Sequence, residues 1–166
     1  DAIGMRDVNN MASDGDVGAY SSVSIGLDGL GLVSYLDSTN GDLKVGHCSD
    51  ILCTSILPYT LESSWYVGIY SALTVGSDGL GLIAYQEASH GYVKVAHCND
   101  IPCSFSTIST IDPAAWVGQD ISITIGSDGL GLISYYDVTN LNLKVAHCSN
   151  LTCSSSTVST LDSSGS

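Results

Sequence analysis

The chain has 166 residues, a formal net charge of −13, and Arg6, Lys44, Lys94 and Lys144 as its strong cations. So few positive charges exclude the basic patch with which a protein neutralises nucleic-acid phosphates or an anionic membrane surface. Apolar residues make up 44% and charged residues 13%, enough to bury a core and too apolar for a disordered tail, yet no stretch reaches the roughly 20 apolar residues of a membrane helix.

Residues 1–16 stand apart from the rest of the chain. They hold Arg6 and both methionines, and aligning them fifty residues upstream puts Ile3 where Cys53 sits, so they are not a blade end with its cysteines. With Ile3, Met5, Val8 and Met11, the segment is expected to pair along an open edge of the chain's own third blade or of a neighbouring copy, as donor strands do; the alternative is a flexible leader. The sequence starts at Asp1 without an initiator Met or a signal-like segment, from which a soluble, processed or excerpted chain is expected.

From Val17 the chain repeats every fifty residues, giving units 17–66, 67–116 and 117–166. Each carries Asp-Gly-Leu-Gly-Leu (28–32, 78–82, 128–132) and Lys-Val-Gly/Ala-His-Cys (44–48, 94–98, 144–148), and internal repetition on this scale marks an array. In unit one Tyr20–Leu27 alternates as a first strand and meets Asp28-Gly29, a two-residue hairpin turn by composition. A second strand from Leu30 to about Asp37 meets Asn40-Gly41, and Leu43–Cys48 returns as a third.

Counting outward from Asn40-Gly41 sets Asp37 opposite Lys44, Tyr35 opposite Gly46 and Ser34 opposite His47. The same count pairs Glu87 with Lys94 and Tyr85 with Ala96, and Asp137 with Lys144 and Tyr135 with Ala146. Such pairs contribute about 0.2–1 kcal/mol each, enough to reinforce a register. Ser104–Ile111 and Ser154–Leu161, rich in Ser, Thr and β-branched residues, read as fourth strands. The expected fold is therefore all-β: three tandem four-stranded antiparallel units, each one propeller blade.

Six cysteines fall in three pairs, Cys48 with Cys53, Cys98 with Cys103 and Cys148 with Cys153, and an even count at constant spacing reads as disulfides in a secreted or cell-surface protein. Each ring of about six residues would contribute roughly 2 kcal/mol. Zinc is the weaker reading, because adjacent residues on a strand point to opposite faces and His47 cannot readily share a metal with Cys48. His47, His97 and His147 read as hydrogen-bonded core residues. Ser34 beside His47 hints at nucleophilic catalysis, but unit two has Ala84 there and no carboxylate is set by sequence to orient the imidazole.

Asp28, Asp78 and Asp128 read as turn residues. Calcium is the alternative, though each turn offers one carboxylate where a calcium site gathers six to eight oxygens. Trp65, Tyr66 and Trp116 fall at the junctions between units, where filling space between blades is the main expectation and stacking of Trp65 or Trp116 on a sugar the second.

Units of the form Ile-Gly-Ser-Asp-Gly-Leu-Gly-Leu-Ile-Ser-Tyr-Tyr-Asp (125–137), followed by Leu-Lys-Val-Ala-His-Cys (143–148), resemble tandem β-propeller repeats of secreted bacterial proteins. The resemblance spans 17–166 and implies an architecture, not an activity. A distant similarity to the Asp-box repeats of sialidase-type propellers stops short, since Ser127-Asp128-Gly129 lacks the spacer and no Trp follows, and Arg6 alone cannot supply a carboxylate-binding arginine cluster.

Closed propellers have four to eight blades, so three blades leave faces to be covered. The leading expectation is a secreted structural protein that self-associates into an extracellular ring or filament. The alternative is a multivalent lectin-like module for glycans. Three near-identical units do not bring unlike groups together once, as an active site requires, so no enzyme and no cofactor is expected.

Overall fold

The computed structural model describes residues 15–163; the expected pairing segment with Ile3, Met5, Val8 and Met11 lies outside them. The described residues form twelve strands. Blade 1 comprises β1 (Val17–Ile25), β2 (Gly31–Asp37), β3 (Asp42–Cys48) and β4 (Ile56–Glu62). Blade 2 comprises β5 (Val67–Val75), β6 (Gly81–Glu87), β7 (Tyr92–Cys98) and β8 (Ser106–Asp112). Blade 3 comprises β9 (Val117–Ile125), β10 (Gly131–Asp137), β11 (Asn142–Cys148) and β12 (Ser156–Asp162). Each blade is one antiparallel sheet with its strands in chain order. The protein is all-β, three propeller-like blades in tandem. Among the described residues no helix is long and apolar enough to cross a membrane.

Alternation along the strands gives every blade two apolar faces. The leading face of blade 2, with Leu73, Ile83, Tyr85, Ala96, Cys98 and Cys103, packs on the trailing face of blade 1, with Leu32, Leu43 and Val45. The trailing face of blade 2, with Leu82, Ala84, Val93, Val95 and Ile111, packs in turn on Ile133, Tyr135, Ala146 and Cys148 of blade 3. Ile83 and Leu82 are neighbours in sequence and lie in different cores, as a period of two requires.

The first hairpin turn is longer than Asp28-Gly29 alone. Gly29 N–H bonds the Gly26 carbonyl at 3.0 Å and Gly26 N–H the Leu30 carbonyl at 2.8 Å, with Gly29 at φ 80°. This is a type I turn closed by a left-handed glycine, and it ends β1 at Ile25. The second turn corrects the register. Asp37 faces Asp42, Tyr35 faces Lys44, Val33 faces Gly46 and Leu32 faces His47, a shift of two residues from the count outward from Asn40-Gly41, repeated in the other blades. The aromatic-over-small pairs Tyr35–Gly46, Tyr85–Ala96 and Tyr135–Ala146 are therefore not directly opposed.

The cause is the Asp37 side chain, which accepts Asn40 N–H at 3.1 Å and Asn40 Nδ2 at 2.9 Å while Gly41 N–H bonds the Asp37 carbonyl at 2.8 Å. These bonds hold a four-residue loop where the composition suggested two. Because the shift is even, the side chains keep their faces.

Successive blades are also joined through these loops. Val67 N–H donates to the Gly41 carbonyl at 3.0 Å and Val117 N–H to the Gly91 carbonyl at 2.9 Å. A Cβ on Gly91 would stand 2.5 Å from Trp116 Cα, and Gly91 has φ 74°. Leu141 holds the equivalent place in blade 3, also at positive φ. Gly91→Ala is expected to lose more stability than Gly29→Ala, whose Cβ would meet nothing within 4 Å at φ 80°. Denaturant unfolding should show about 1–2 kcal/mol for Gly29→Ala from backbone strain alone and about 1–3 kcal/mol more for Gly91→Ala from the clash.

Candidate functional site

The polar chemistry gathers at the junctions between blades. Glu62 closes β4 opposite Leu43, and Asp112 closes β8 opposite Val93. Each carboxylate reaches the leading face of the next blade. Glu62 accepts the Tyr85 hydroxyl at 2.5 Å and the Lys94 ammonium; Asp112 accepts the Tyr135 hydroxyl at 2.7 Å and the Lys144 ammonium at 2.6 Å. Burial pushes the tyrosine hydroxyls up, reinforced by the carboxylates, so they remain protonated donors. Burial opposes ionisation of Asp112 as well, but bonds from Lys144, Tyr135 and Ala114 outweigh it and hold the carboxyl below its ordinary value.

The expected ion pairs within a blade are met unevenly. Lys44 bonds Asp37 at 2.9 Å, across the diagonal rather than directly opposite. Lys144 lies 3.9 Å from Asp137 while bonding Asp112 more closely. Lys94 turns to Glu62, and Glu87 instead takes His90 Nδ1 at 2.9 Å. Glutamate is one methylene longer than aspartate and folds over its own loop, accepting Ser89 and His90 N–H as well.

A carboxylate that the sequence did not reveal orients each histidine. His47, His97 and His147 place Nε2 at 2.8, 2.8 and 2.9 Å from Oδ2 of Asp28, Asp78 and Asp128. The other oxygen of each Asp accepts the N–H of Leu30, Leu80 or Leu130 at 3.1 Å, so the turn and the dyad share one side chain. Ser34 does not face His47; its hydroxyl bonds Ser71 at 3.0 Å across the junction. The His–Asp pair holds the end of the third strand to the first hairpin turn, and of the three histidines expected in the core only His97 is buried. Among the described residues no group of three or more His, Cys, Asp or Glu side chains could hold a metal ion.

Disulfides join Cys48 to Cys53, Cys98 to Cys103 and Cys148 to Cys153, each with Cα atoms 4.8 Å apart. They fix the loops after β3, β7 and β11, where Asp50 also accepts Leu52 and Thr54 N–H. Three disulfides fit an oxidising environment. The indoles of Trp65 and Trp116 are mainly exposed rather than filling the junctions. Trp116 joins Tyr20, Tyr70, Gln86 and Gln119 around a shallow groove, where the Tyr20 and Tyr70 rings lie tilted at 54° with centroids 5.0 Å apart.

The two outermost faces repeat the junction surfaces without a blade of this array against them. On the trailing face of blade 3, Leu132, Leu143 and Leu161 are 36%, 45% and 62% exposed, whereas Leu82, Val93 and Ile111 at the same places in blade 2 are 1%, 0% and 7%. On the leading face of blade 1, Val23 and Ile25 are 66% and 62% exposed, while Leu73, the counterpart of Val23, is 7%. These apolar positions were legible as strand residues; their role at the ends of an array requires the blade order.

No family model matches the chain, and no curated protein matches it. Among solved structures it is similar to the α-L-arabinofuranosidase from Lactobacillus brevis, at 12% identity and a TM-score of 0.61, covering 86% of this chain and 53% of that one. The likeness is one of fold, and the chain spans about half the length of that protein.

Lys144→Met would leave Asp112 buried without its cation and is expected to cost about 3–5 kcal/mol in denaturant unfolding. The acid side of the stability profile follows from Asp37, held at about 2 against an ordinary 3.8 because bonds from Asn40 and Lys44 outweigh burial. A carboxylate depressed in the folded state contributes stability in full above its unfolded value. That contribution is lost as pH falls through the folded one. Unfolding free energy should thus hold level above about pH 5 and decline between about 4 and 2; a decline that starts near neutrality would contradict this assignment.

Proposed function

We propose that this chain is a self-associating structural repeat protein of an extracellular environment, in which the trailing face of blade 3 docks on the leading face of blade 1 of another copy. The observation that carries this reading is the contrast in burial at equivalent positions: apolar side chains that are covered at both internal junctions are open at the two ends of the array. Burying such a side chain contributes about 1.5–3 kcal/mol. A contact between unlike faces is heterologous, so repetition produces a ring if the rotation closes and a filament if it does not. The disulfides favour secretion over a reducing compartment, and residues 1–16 supply a segment suited to edge pairing through Ile3, Met5, Val8 and Met11.

Light scattering of native, non-reduced protein over a concentration series tests the reading. Mass should rise with concentration towards a closed ring or a polymer, and a monomer at every concentration would overturn it. Deleting residues 1–16 should shrink the assembly; an unchanged size would remove the segment from the mechanism and leave the faces to account for it.

A second reading, glycan binding, is favoured by the groove of Tyr20, Tyr70 and Trp116 with the amides of Gln86 and Gln119, since aromatic faces and amides together suit a sugar. Binding on a glycan array that Trp116→Ala abolishes would support it, and an array without hits would oppose it.

A further inference from the structure

We infer that copies of this chain lock together through three side chains of blade 3 seated on three glycines of the next copy's blade 1: Leu132 on Gly31, Leu143 on Gly18 and Ser127 on Gly29. The inference rests on the proposed self-association and names the contacts that set its register. Both internal junctions use the same three contacts. A Cβ on Gly81 would stand 2.8 Å from Leu32 Cδ2 of the blade before, and one on Gly131 would stand 2.8 Å from Leu82 Cδ2. A Cβ on Gly68 would meet Leu43 at 3.1 Å, and one on Gly118 would meet Val93 Cγ2 at 2.7 Å. On the first hairpin turn, Gly79 lies under Leu27, and Gly129 lies under Ser77, whose hydroxyl donates to the Gly129 carbonyl at 2.9 Å.

At the two ends of the array the same parts are unengaged. Among the described residues, a Cβ on Gly18 or Gly29 would meet nothing within 4 Å, and one on Gly31 would meet only Cys48 of its own blade. Gly31 opens into a hollow of about 410 Å³ walled by Val23, Ile25, Val33 and the Cys48–Cys53 disulfide. Val33 and Cys53 are half-buried there. Their counterparts Ile83 and Cys103 are fully buried in the core that holds Leu32, and Ile133 and Cys153 in the core that holds Leu82. The complementary side chains Leu132, Leu143 and Ser127 are all exposed on blade 3.

A second copy is the occupant because the hollow at Gly31 is the seat that takes a leucine at both junctions already formed, and Leu132 is the leucine at that place in the sequence. The lock also sets direction. Blade 1 offers the seats and blade 3 the side chains, so like ends do not complement each other and the contact is heterologous. The backbone stitch of the internal junctions has no part in it. Leu141 stands where blades 1 and 2 have Gly41 and Gly91, and a Cβ on Gly91 would already come within 2.5 Å of Trp116 Cα.

The test follows wild type, Leu132→Asp, Val23→Asp and Phe105→Asp by light scattering of non-reduced full-length protein over a concentration series. Leu132 and Val23 are exposed on the two halves of the lock, and Phe105, exposed on blade 2, controls for the added charge. Both end variants should raise the concentration at half-assembly by about tenfold or more, as loss of one buried apolar side chain implies. Phe105→Asp should not, and thermal unfolding midpoints should stay unchanged in all three. Mixing the two end variants should restore a dimer and nothing larger, since one keeps the seats and the other the side chains. Wild-type assembly that Leu132→Asp weakens no more than Phe105→Asp overturns the lock and leaves face docking intact. End variants that each weaken assembly without complementing on mixing overturn the seating of Leu132 on Gly31. A wild type that is monomeric at every concentration overturns both the lock and the self-association.

Discussion

A four-stranded sheet with two apolar faces cannot be stable alone in water, and that constraint organises this protein. Each blade must find a partner for both faces, and the array meets the need by setting the leading face of one blade on the trailing face of the one before. Ile83 and Leu82, adjacent in β6, belong to the cores on either side of blade 2. The hydrophobic effect supplies the attraction without direction. Direction comes from the carboxylates Glu62 and Asp112, which reach forward to a lysine and a tyrosine of the next blade, and from the glycine loops whose carbonyls accept the incoming backbone.

The polar groups follow the same economy of parts. One aspartate per blade both closes the first hairpin turn through Leu30, Leu80 or Leu130 and holds a histidine at the end of the third strand. Beside it the disulfide fixes the following loop. The histidine–aspartate pair is most enclosed in blade 2, where the His97 and Asp78 side chains are 6% and 22% exposed, and most open in blade 3, where His147 and Asp128 are 43% and 46% exposed. The fold alone is shared with the arabinofuranosidase, and its chemistry does not transfer with it.

Much of this architecture was legible in the sequence because it is local and repeated. The period of fifty, the alternation that makes strands and the Cys-x4-Cys spacing all lie within one unit. Register was misread because Asn40-Gly41 has the composition of a two-residue turn, whereas the Asp37 side chain holds a four-residue loop; Asn140-Leu141, lacking the glycine, was the available warning. The partner of Lys94 was missed for a different reason. Glu62 is 32 residues away, in the preceding blade, and reasoning confined to one hairpin offers Glu87 instead. The His47–Asp28 pair spans 19 residues and becomes visible only once the second strand carries the turn back over the third. Acids fifty residues apart at 62 and 112, each followed 32 residues later by a lysine, were the signal that could have located these junction pairs.

The claim that copies meet head to tail is tested most directly by zero-length carbodiimide coupling of native protein, prepared as an equal mixture of isotopically light and heavy chains. Mass spectrometry should find an amide joining blade 3 of one isotopic form to blade 1 of the other. Coupled species that lack this linkage, or that join blade 1 to blade 1, would contradict the account.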